Sequence, residues 1–305
     1  MRLFYCDHHE IPLPPGHRFP VRKYRLLREL LAAGGLYQLE PAPPASPATI
    51  ALAHDPGYVR AFLEGSLDPA VMRRIGFPWS QGLVDRTLAS TGGTLAAAQD
   101  ALASGFGGTL AGGTHHAFPA EGAGYCVFND VAVAVHWSRR HDHARRFAVI
   151  DLDVHQGDGT AKFFEHDPDV LTISLHGARN FPFHKQRSSI DVELADGTGD
   201  AAYLEALANV LPRVAEFQPD LVFYLSGVDA LAGDALGRLA LTHAGMAERD
   251  RRVIGLCRDQ RLPIAITLGG GYSSPIEATV EAHAGTFRIA AELFSAKRQT
   301  SPQPA

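Results

Sequence analysis

Short runs of apolar residues recur along the chain, and six of them end in a cluster of glycine, histidine, aspartate or serine. The runs are mostly continuous rather than alternating in polarity, which is typical of strands covered on both faces. They predict strands over residues 3–6, 109–111, 147–150, 170–173, 221–225 and 264–268. The segments between them predict helices over residues 22–33, 84–104, 131–141, 201–217, 244–261 and 275–295.

Strands that alternate with helices indicate an α/β fold of three layers (α/β/α) with a mainly parallel central sheet. Ligands bind such sheets beyond the carboxyl ends of the strands, and the polar clusters all lie at that end. A Pro/Ala-rich stretch at residues 40–47 is too short and too early to divide the chain. We therefore expect one domain over residues 1–296, followed by a disordered tail over residues 297–305.

Composition excludes several classes of protein. Lys and Arg number 28 against 33 Asp and Glu, a formal charge of −5, which argues against direct binding of nucleic acid. Hydrophobic residues make up 46% of the chain and charged residues 20%, unlike a disordered protein. No apolar run approaches the length of a membrane helix, and the N-terminus turns polar too early for a signal peptide. We expect a cytoplasmic protein that does not bind membranes.

Three cysteines, Cys6, Cys126 and Cys257, are widely spaced and form no CxxC motif. Neither a disulfide framework nor a thiolate zinc cage is expected from this spacing. Any metal must therefore be held by histidine and carboxylate side chains.

The densest polar cluster begins at Asp151. In extended backbone, alternate side chains share a face, so Asp151, Asp153 and His155 point the same way. Two carboxylates and an imidazole suit zinc, Fe(II), Co(II) or Mn(II), whereas a turn that merely ends a strand is the simpler alternative. A calcium loop is excluded, because its sixth and twelfth positions hold Gln156 and Lys162 instead of Gly and Glu.

Two further strand ends add candidate groups. Asp229 could complete a three-ligand site that leaves the metal one position for water. The adjacent His115 and His116 admit three interpretations: a second metal site, a buried structural pair, or acid/base groups oriented by Asp151 and Asp158.

The glycine run before Tyr272 lacks the spacing of a phosphate-binding loop. The glycine run is better explained as letting the backbone come close to a ligand or metal. It also presents Tyr272, whose phenol could donate a hydrogen bond to a developing oxyanion. Ser226 does not lie in a nucleophile elbow, and Cys126 has no local activating base. Water activated by a metal remains as the nucleophile.

Together these residues form five motifs in a fixed order, and the chain from about residue 2 to about residue 290 resembles the zinc-dependent histone deacetylase family of the arginase/deacetylase superfamily. The motifs are GGTHHAF (112–118), GYCVFND (124–130), DLDVHQGDG (151–159), SGVDALAGD (226–234) and LGGGY (268–272). The resemblance implies the arginase/deacetylase fold and a histone deacetylase-like catalytic domain, with its active site at the carboxyl ends of the strands.

The resemblance also implies a set of metal ligands. Zinc, with Fe(II) as an alternative, would be held by Asp153, His155 and Asp229. A structural K⁺ or Na⁺ would be held largely through backbone oxygens of Asp151, Asp153, His155, Ser174 and Leu175.

Catalytic roles follow by the same resemblance. His116, partnered by Asp158, matches the general base and then acid, and His115 is partnered by Asp151. Tyr272 matches the tyrosine that polarises the acyl carbonyl.

The resemblance places a substrate tunnel along Gly124, Tyr125, Leu236 and Gly270, and it places Arg22 beneath the site. Gln156 stands where larger eukaryotic classes have histidine, so this chain is most similar to class IV enzymes and their bacterial relatives. Polyamine-preferring relatives have an acidic residue where this chain has Ala235 and Leu236, which favours an acyl-lysine protein or peptide as substrate.

The expected activity is therefore hydrolysis of N6-acyl-lysine by metal-activated water. Two alternatives stay open: an amidohydrolase that acts on a small acylated amine such as an acetylpolyamine, and a non-catalytic acyl-lysine binder.

Overall fold

The computed structural model describes residues 1–295, so the tail predicted at residues 297–305 lies outside the described residues. The strands in this range are β1 Arg2–Tyr5, β2 Gln38–Pro41, β3 Phe106–Gly108, β4 Phe147–Asp151, β5 Val170–Gly177, β6 Ile190–Leu194, β7 Leu221–Leu225 and β8 Ile264–Thr267. The helices are α1 Arg22–Gly34, α2 Pro47–Ile50, α3 Pro56–Leu63, α4 Pro69–Ile75, α5 Gln81–Ser104, α6 Asp130–Arg140, α7 Asp158–Phe164, α8 Asp200–Phe217, α9 His243–Gln260 and α10 Ile276–Ser295. Among these helices, none combines the length and the apolar character needed to cross a membrane.

Six strands form a parallel sheet in the order β3-β8-β7-β4-β5-β6. Strands β1 and β2 form a second parallel pair, which joins the sheet through a bridge between Phe4 and Thr109. The predicted α/β fold with a parallel central sheet is confirmed. Because all of these strands run in the same direction, their carboxyl ends meet at one edge of the molecule.

The sequence prediction of a strand at residues 109–111 is wrong, since β3 lies just before it. The Thr109 amide donates to Ile266 of β8 at 3.0 Å, and the Leu110 amide donates to Phe4 of β1 at 2.7 Å. This segment divides its hydrogen bonds between two neighbours instead of continuing one ladder.

Two strands escaped sequence prediction for different reasons. Strand β2 begins before the Pro/Ala-rich stretch and ends at Pro41, within it. Strand β6 lies at the edge of the sheet and alternates between half-buried and exposed positions, so it lacks the continuous apolar run by which the buried strands were recognised.

Both faces of the sheet are covered, which explains the continuous apolar strands. Along β4, Ala148 and Ile150 belong to one buried cluster, whereas Phe147 and Val149 belong to another. Helices α1, α8, α9 and α10 contribute to the first cluster, and α5 and α6 contribute to the second. The α/β/α layering follows directly from this alternation.

A buried carboxylate fixes the segment that carries the histidine pair. Asp130, at the start of α6, is 1% exposed. It accepts hydrogen bonds from the Gly113 and Thr114 amides at 3.0 and 2.8 Å, and from the Thr94 and Thr114 hydroxyls at 2.6 and 2.7 Å. The loop after β3 is therefore anchored to α5 and α6.

We expect Asp130→Asn to lower the free energy of unfolding by about 1–3 kcal/mol, because an amide nitrogen cannot accept the donors that the carboxylate satisfies. Urea denaturation measures the change. Asp259→Asn is the matched control, since the Asp259 side chain is 61% exposed and its loss should change stability by less than about 0.5 kcal/mol. Equal effects of the two substitutions would show that Asp130 does not anchor the loop.

Candidate active site

The ends of β4 and β7 bring three potential ligands together. Strands β4 and β7 are neighbours, with Asp151 opposite Leu225, so the segments that follow them lie side by side. Ligand atoms of Asp153, His155 and Asp229 all lie within 4.8 Å of one another. The Nδ1 atom of His155 is 2.9 Å from an oxygen of Asp153 and 3.1 Å from an oxygen of Asp229.

The chemistry of this donor set fits a divalent cation. Asp153 and Asp229 are almost completely buried, and two buried carboxylates repel each other unless positive charge lies between them. Burial, with the Asp153 carboxylate beside it, raises the pKa of Asp229 to about 7. One imidazole nitrogen and two carboxylates are ligands suited to zinc or Fe(II). Asp153, His155 and Asp229 thus form a candidate metal site.

The glycine run after β8 lies directly against these ligands. The Gly270 amide donates to the Asp153 carboxylate at 2.6 Å, and a Cβ atom added at Gly270 would overlap the carboxylate of Asp229. Only glycine allows the backbone to approach this closely. The run also carries Tyr272 to the site, where its amide donates to Asp234 at 2.6 Å.

Each histidine of the pair has its own carboxylate. His115 Nδ1 lies 2.6 Å from Asp151, and His116 Nδ1 lies 2.6 Å from Asp158. Both histidines are 4% exposed. This geometry matches the acid/base interpretation of the sequence more closely than a second metal site, because each Nδ1 is already committed to a carboxylate.

The two imidazoles differ in protonation. Burial opposes the charge on His115, but the carboxylates of Asp151 and Asp153 outweigh it and raise the pKa of His115 to about 9. Burial and the neighbouring His115 lower the pKa of His116 to about 4, against the effect of Asp158. Near neutral pH, His115 is a cation and His116 is a neutral base.

Tyr272 keeps its proton. Burial, together with the nearby carboxylates of Asp153 and Asp229, raises the pKa of the phenol far above its usual range. A phenol in this state is a hydrogen-bond donor beside the candidate metal ligands.

A cavity of about 640 Å³ reaches the site, and its walls include the four residues proposed as a substrate tunnel, Gly124, Tyr125, Leu236 and Gly270. Asp153, His155, His115, His116 and Tyr272 line the same cavity. The ring of Phe181, which the sequence did not single out, packs edge-on against His116 with centroids 4.9 Å apart.

The residues expected around a monovalent cation lie on adjacent strands. Asp151 of β4 is opposite Ser174 of β5, Leu175 follows Ser174, and Asp153 and His155 lie just beyond the end of β4. The structure therefore places these backbone segments side by side.

The placement of Arg22 beneath the site is wrong, because that residue is exposed. Its neighbour Lys23 is 1% exposed and donates to the carbonyl oxygens of Gly269 and Gly271 at 2.9 and 3.5 Å. Burial lowers the pKa of Lys23 to about 8, while the carboxylates of Asp229 and Asp153 act in the opposite direction. Lys23 holds the glycine run in place. Lys23 takes the position expected for Arg22 because Lys23 lies on the face of α1 that turns inward.

Asp234 is a second residue whose role sequence reasoning missed, although it ends the fourth motif. It accepts hydrogen bonds from the amides of Leu236 and Gly237 at 2.8 and 2.9 Å, besides that of Tyr272. Its carboxylate therefore ties the tunnel wall at Leu236 to the backbone of Tyr272.

Comparison with known proteins agrees with these observations. Residues 17–287 match the family model described as "Histone deacetylase domain". The chain is 45% identical to an uncharacterised protein of Picosynechococcus sp. over 96% of this chain and 99% of that protein. It is 31% identical to a probable deacetylase of Archaeoglobus fulgidus over 88% of this chain and 79% of the other. The crystal structure of the HDA15 HD domain superimposes with a TM-score of 0.76 at 22% identity, covering 95% of this chain and 90% of that one. The chain therefore belongs to the histone deacetylase domain family and is a hydrolase of the deacetylase type.

Proposed function

We propose that the protein hydrolyses the amide of N6-acyl-lysine in a protein or peptide, releasing the lysine amine and a carboxylate. One observation carries the proposal: the carboxylate-paired His116, the protonated Tyr272 and two of the candidate metal ligands, Asp153 and His155, line the same cavity. These groups are what hydrolysis of an unactivated amide requires.

The proposed metal is zinc, with Fe(II) as an alternative, held by Asp153, His155 and Asp229. When bound, such an ion supplies Lewis acidity that polarises the acyl carbonyl and lowers the pKa of a coordinated water.

His116 is neutral near pH 7 and takes a proton from the attacking water, while Asp158 orients the imidazole through Nδ1. The same imidazole then donates that proton to the leaving amine. His115, protonated beside Asp151, supports the negative charge that develops nearby. Tyr272 donates a hydrogen bond to the oxyanion.

We also propose a structural K⁺ or Na⁺ bound by backbone oxygens around Asp151, Asp153, His155, Ser174 and Leu175. The register that sets Asp151 opposite Ser174 supports this proposal.

Leu236 lines the cavity and no carboxylate stands at Ala235 or Leu236, which favours acyl-lysine over an acetylpolyamine. The three buried, unpaired cysteines fit an enzyme of the reducing cytoplasm.

Values of kcat/KM on an acetyl-lysine peptide and on acetylspermidine test the choice between acyl-lysine and acetylpolyamine as substrate. A higher value on the peptide is expected, and a higher value on acetylspermidine would contradict it. Tight binding of the peptide without turnover by the zinc-loaded protein would instead indicate a non-catalytic binder.

Tyr272→Phe should lower kcat by about 10²–10³, the usual loss for one oxyanion donor, and leave zinc content unchanged. Steady-state kinetics and metal analysis measure both quantities. Tyr37→Phe is the matched control, because it removes a buried hydroxyl whose one hydrogen bond within residues 1–295 is to the Phe287 carbonyl, and neither residue lines the cavity. Full activity in the Tyr272 variant would remove the phenol from the mechanism.

Asp158→Asn should lower kcat by about 10–100-fold, since the carboxylate that orients His116 and stabilises the imidazolium it forms on taking a proton is replaced by a neutral amide. KM should change little, because Asp158 does not line the cavity. A loss expressed entirely in KM would indicate that Asp158 shapes the binding site instead.

Asp229→Asn should weaken zinc binding by at least about 100-fold. This loss of affinity is larger than the one typical of substituting a residue that only hydrogen-bonds to a metal ligand. Competition with a chromophoric chelator measures the affinity. Asp234→Asn is the control, because Asp234 lies nearby but bonds only to backbone amides, and it should retain the metal. Equal affinity in the two variants would place the metal elsewhere.

A further inference from the structure

Besides Asp153 and His155, the cavity is lined by residues of α5. Arg86 is one of them and is 6% exposed, with Thr87, Ser90 and Thr91 on the same helix. Apolar and aromatic side chains also line the cavity, among them Ile11, Tyr24, Leu83, Val127 and Phe128. The cavity thus contains a buried cation among apolar side chains.

Arg86 differs from the other fully buried cations in the described part of the chain. Arg249 forms an ion pair with Asp250 and also donates to the Gly227 carbonyl at 2.6 Å. Lys23 donates to the glycine run beside the metal ligands. Arg86 makes one hydrogen bond, from Nη1 to the Cys6 carbonyl at 3.0 Å, and within residues 1–295 no carboxylate lies within 4.0 Å of it.

A guanidinium has five N–H donors, so most of those on Arg86 have no hydrogen-bond partner among the described residues. Burying a charge without a counterion is costly, which points to an anion that enters from the cavity. Asp7, which follows Cys6 in the chain, is already held by Arg28 at 2.9 and 3.0 Å.

The orientation of Arg86 suits a planar anion. Its guanidinium carbon lies over the Tyr24 ring, 4.4 Å from the centroid. This contact takes up no hydrogen bond of the guanidinium, and a carboxylate matches the edge of a guanidinium with two parallel bonds.

We propose that Arg86 forms a carboxylate-binding subsite, and that the protein accepts acyl-lysine whose acyl chain ends in a carboxylate, such as succinyl or glutaryl. This inference rests on the proposed function. The metal end of the cavity takes the scissile amide, the apolar walls take the methylene groups, and Arg86 takes the terminal carboxylate. Water adds its oxygen to the acyl carbon as the C–N bond breaks, and the amine gains the proton, so the products are a dicarboxylate and lysine.

The experiment compares kcat/KM on peptides with matched acyl chains: succinyl against butanoyl, and glutaryl against pentanoyl. The zinc-loaded wild-type protein should prefer at least one charged chain by about tenfold or more. Arg86→Met should abolish that preference while retaining the uncharged substrates. Arg86→Lys should give an intermediate ratio, because an ammonium keeps the charge but not the planar edge. Arg179→Met, which removes a cavity-lining arginine whose side chain is 72% exposed, should leave the ratio unchanged.

A second arm measures binding without hydrolysis, by calorimetry of glutarate and pentanoate on the zinc-loaded protein. Glutarate should bind about tenfold more tightly, and Arg86→Met should remove the difference. Equal ratios in wild type and Arg86→Met, in both arms, would overturn the inference. If Arg86→Met weakens pentanoate as much as glutarate, the inference is also overturned, since Arg86 would then hold the carboxylate formed by hydrolysis. Glutarate binding that depends on Arg86, without turnover of any peptide, would instead refute the proposed hydrolysis.

Discussion

Two buried carboxylates share one imidazole nitrogen at the centre of the candidate active site. Asp153 and Asp229 come from the ends of neighbouring strands, and each lies about 3 Å from Nδ1 of His155. Burial at this depth is tolerable only with compensating positive charge, and much of the surrounding structure keeps the three groups together. The register between β4 and β7 sets their spacing, Gly270 allows the backbone to close over them, and Lys23 holds that backbone from below.

The same centre separates the roles of the two adjacent histidines. Both imidazoles are buried and both are paired with a carboxylate, yet their pKa values move in opposite directions. His115 lies near the Asp153 carboxylate as well as Asp151, whereas His116 lies beside the His115 cation. One histidine is therefore kept charged and the other is kept available as a base. Attack by water and departure of the amine need these two different protonation states.

Sequence patterns anticipated the parallel α/β fold and the grouping of Asp153, His155 and Asp229, because a strand that ends in alternating Asp and His exposes those side chains together. Leu152 and Val154 pack into the hydrophobic core from the other face of the same segment, as the alternation predicts. The roles of Lys23 and Arg86 were not accessible in this way. Lys23 meets Gly269 across 246 residues of chain, and Arg86 looks like any charged residue near the start of a helix until the fold buries it beside Tyr24. Strand β6 was missed because it lies at the edge of the sheet and lacks a continuous apolar run.

The proposed hydrolysis depends on one metal ion acting with His116 and Tyr272 on an acyl-lysine amide. Its most direct test is to titrate zinc into metal-stripped protein while following release of the free amine from an acyl-lysine peptide. No release is expected without metal, and the rate should rise with added zinc and level off at one equivalent. Stoichiometric binding of zinc with no release of amine from any acyl-lysine peptide would contradict it.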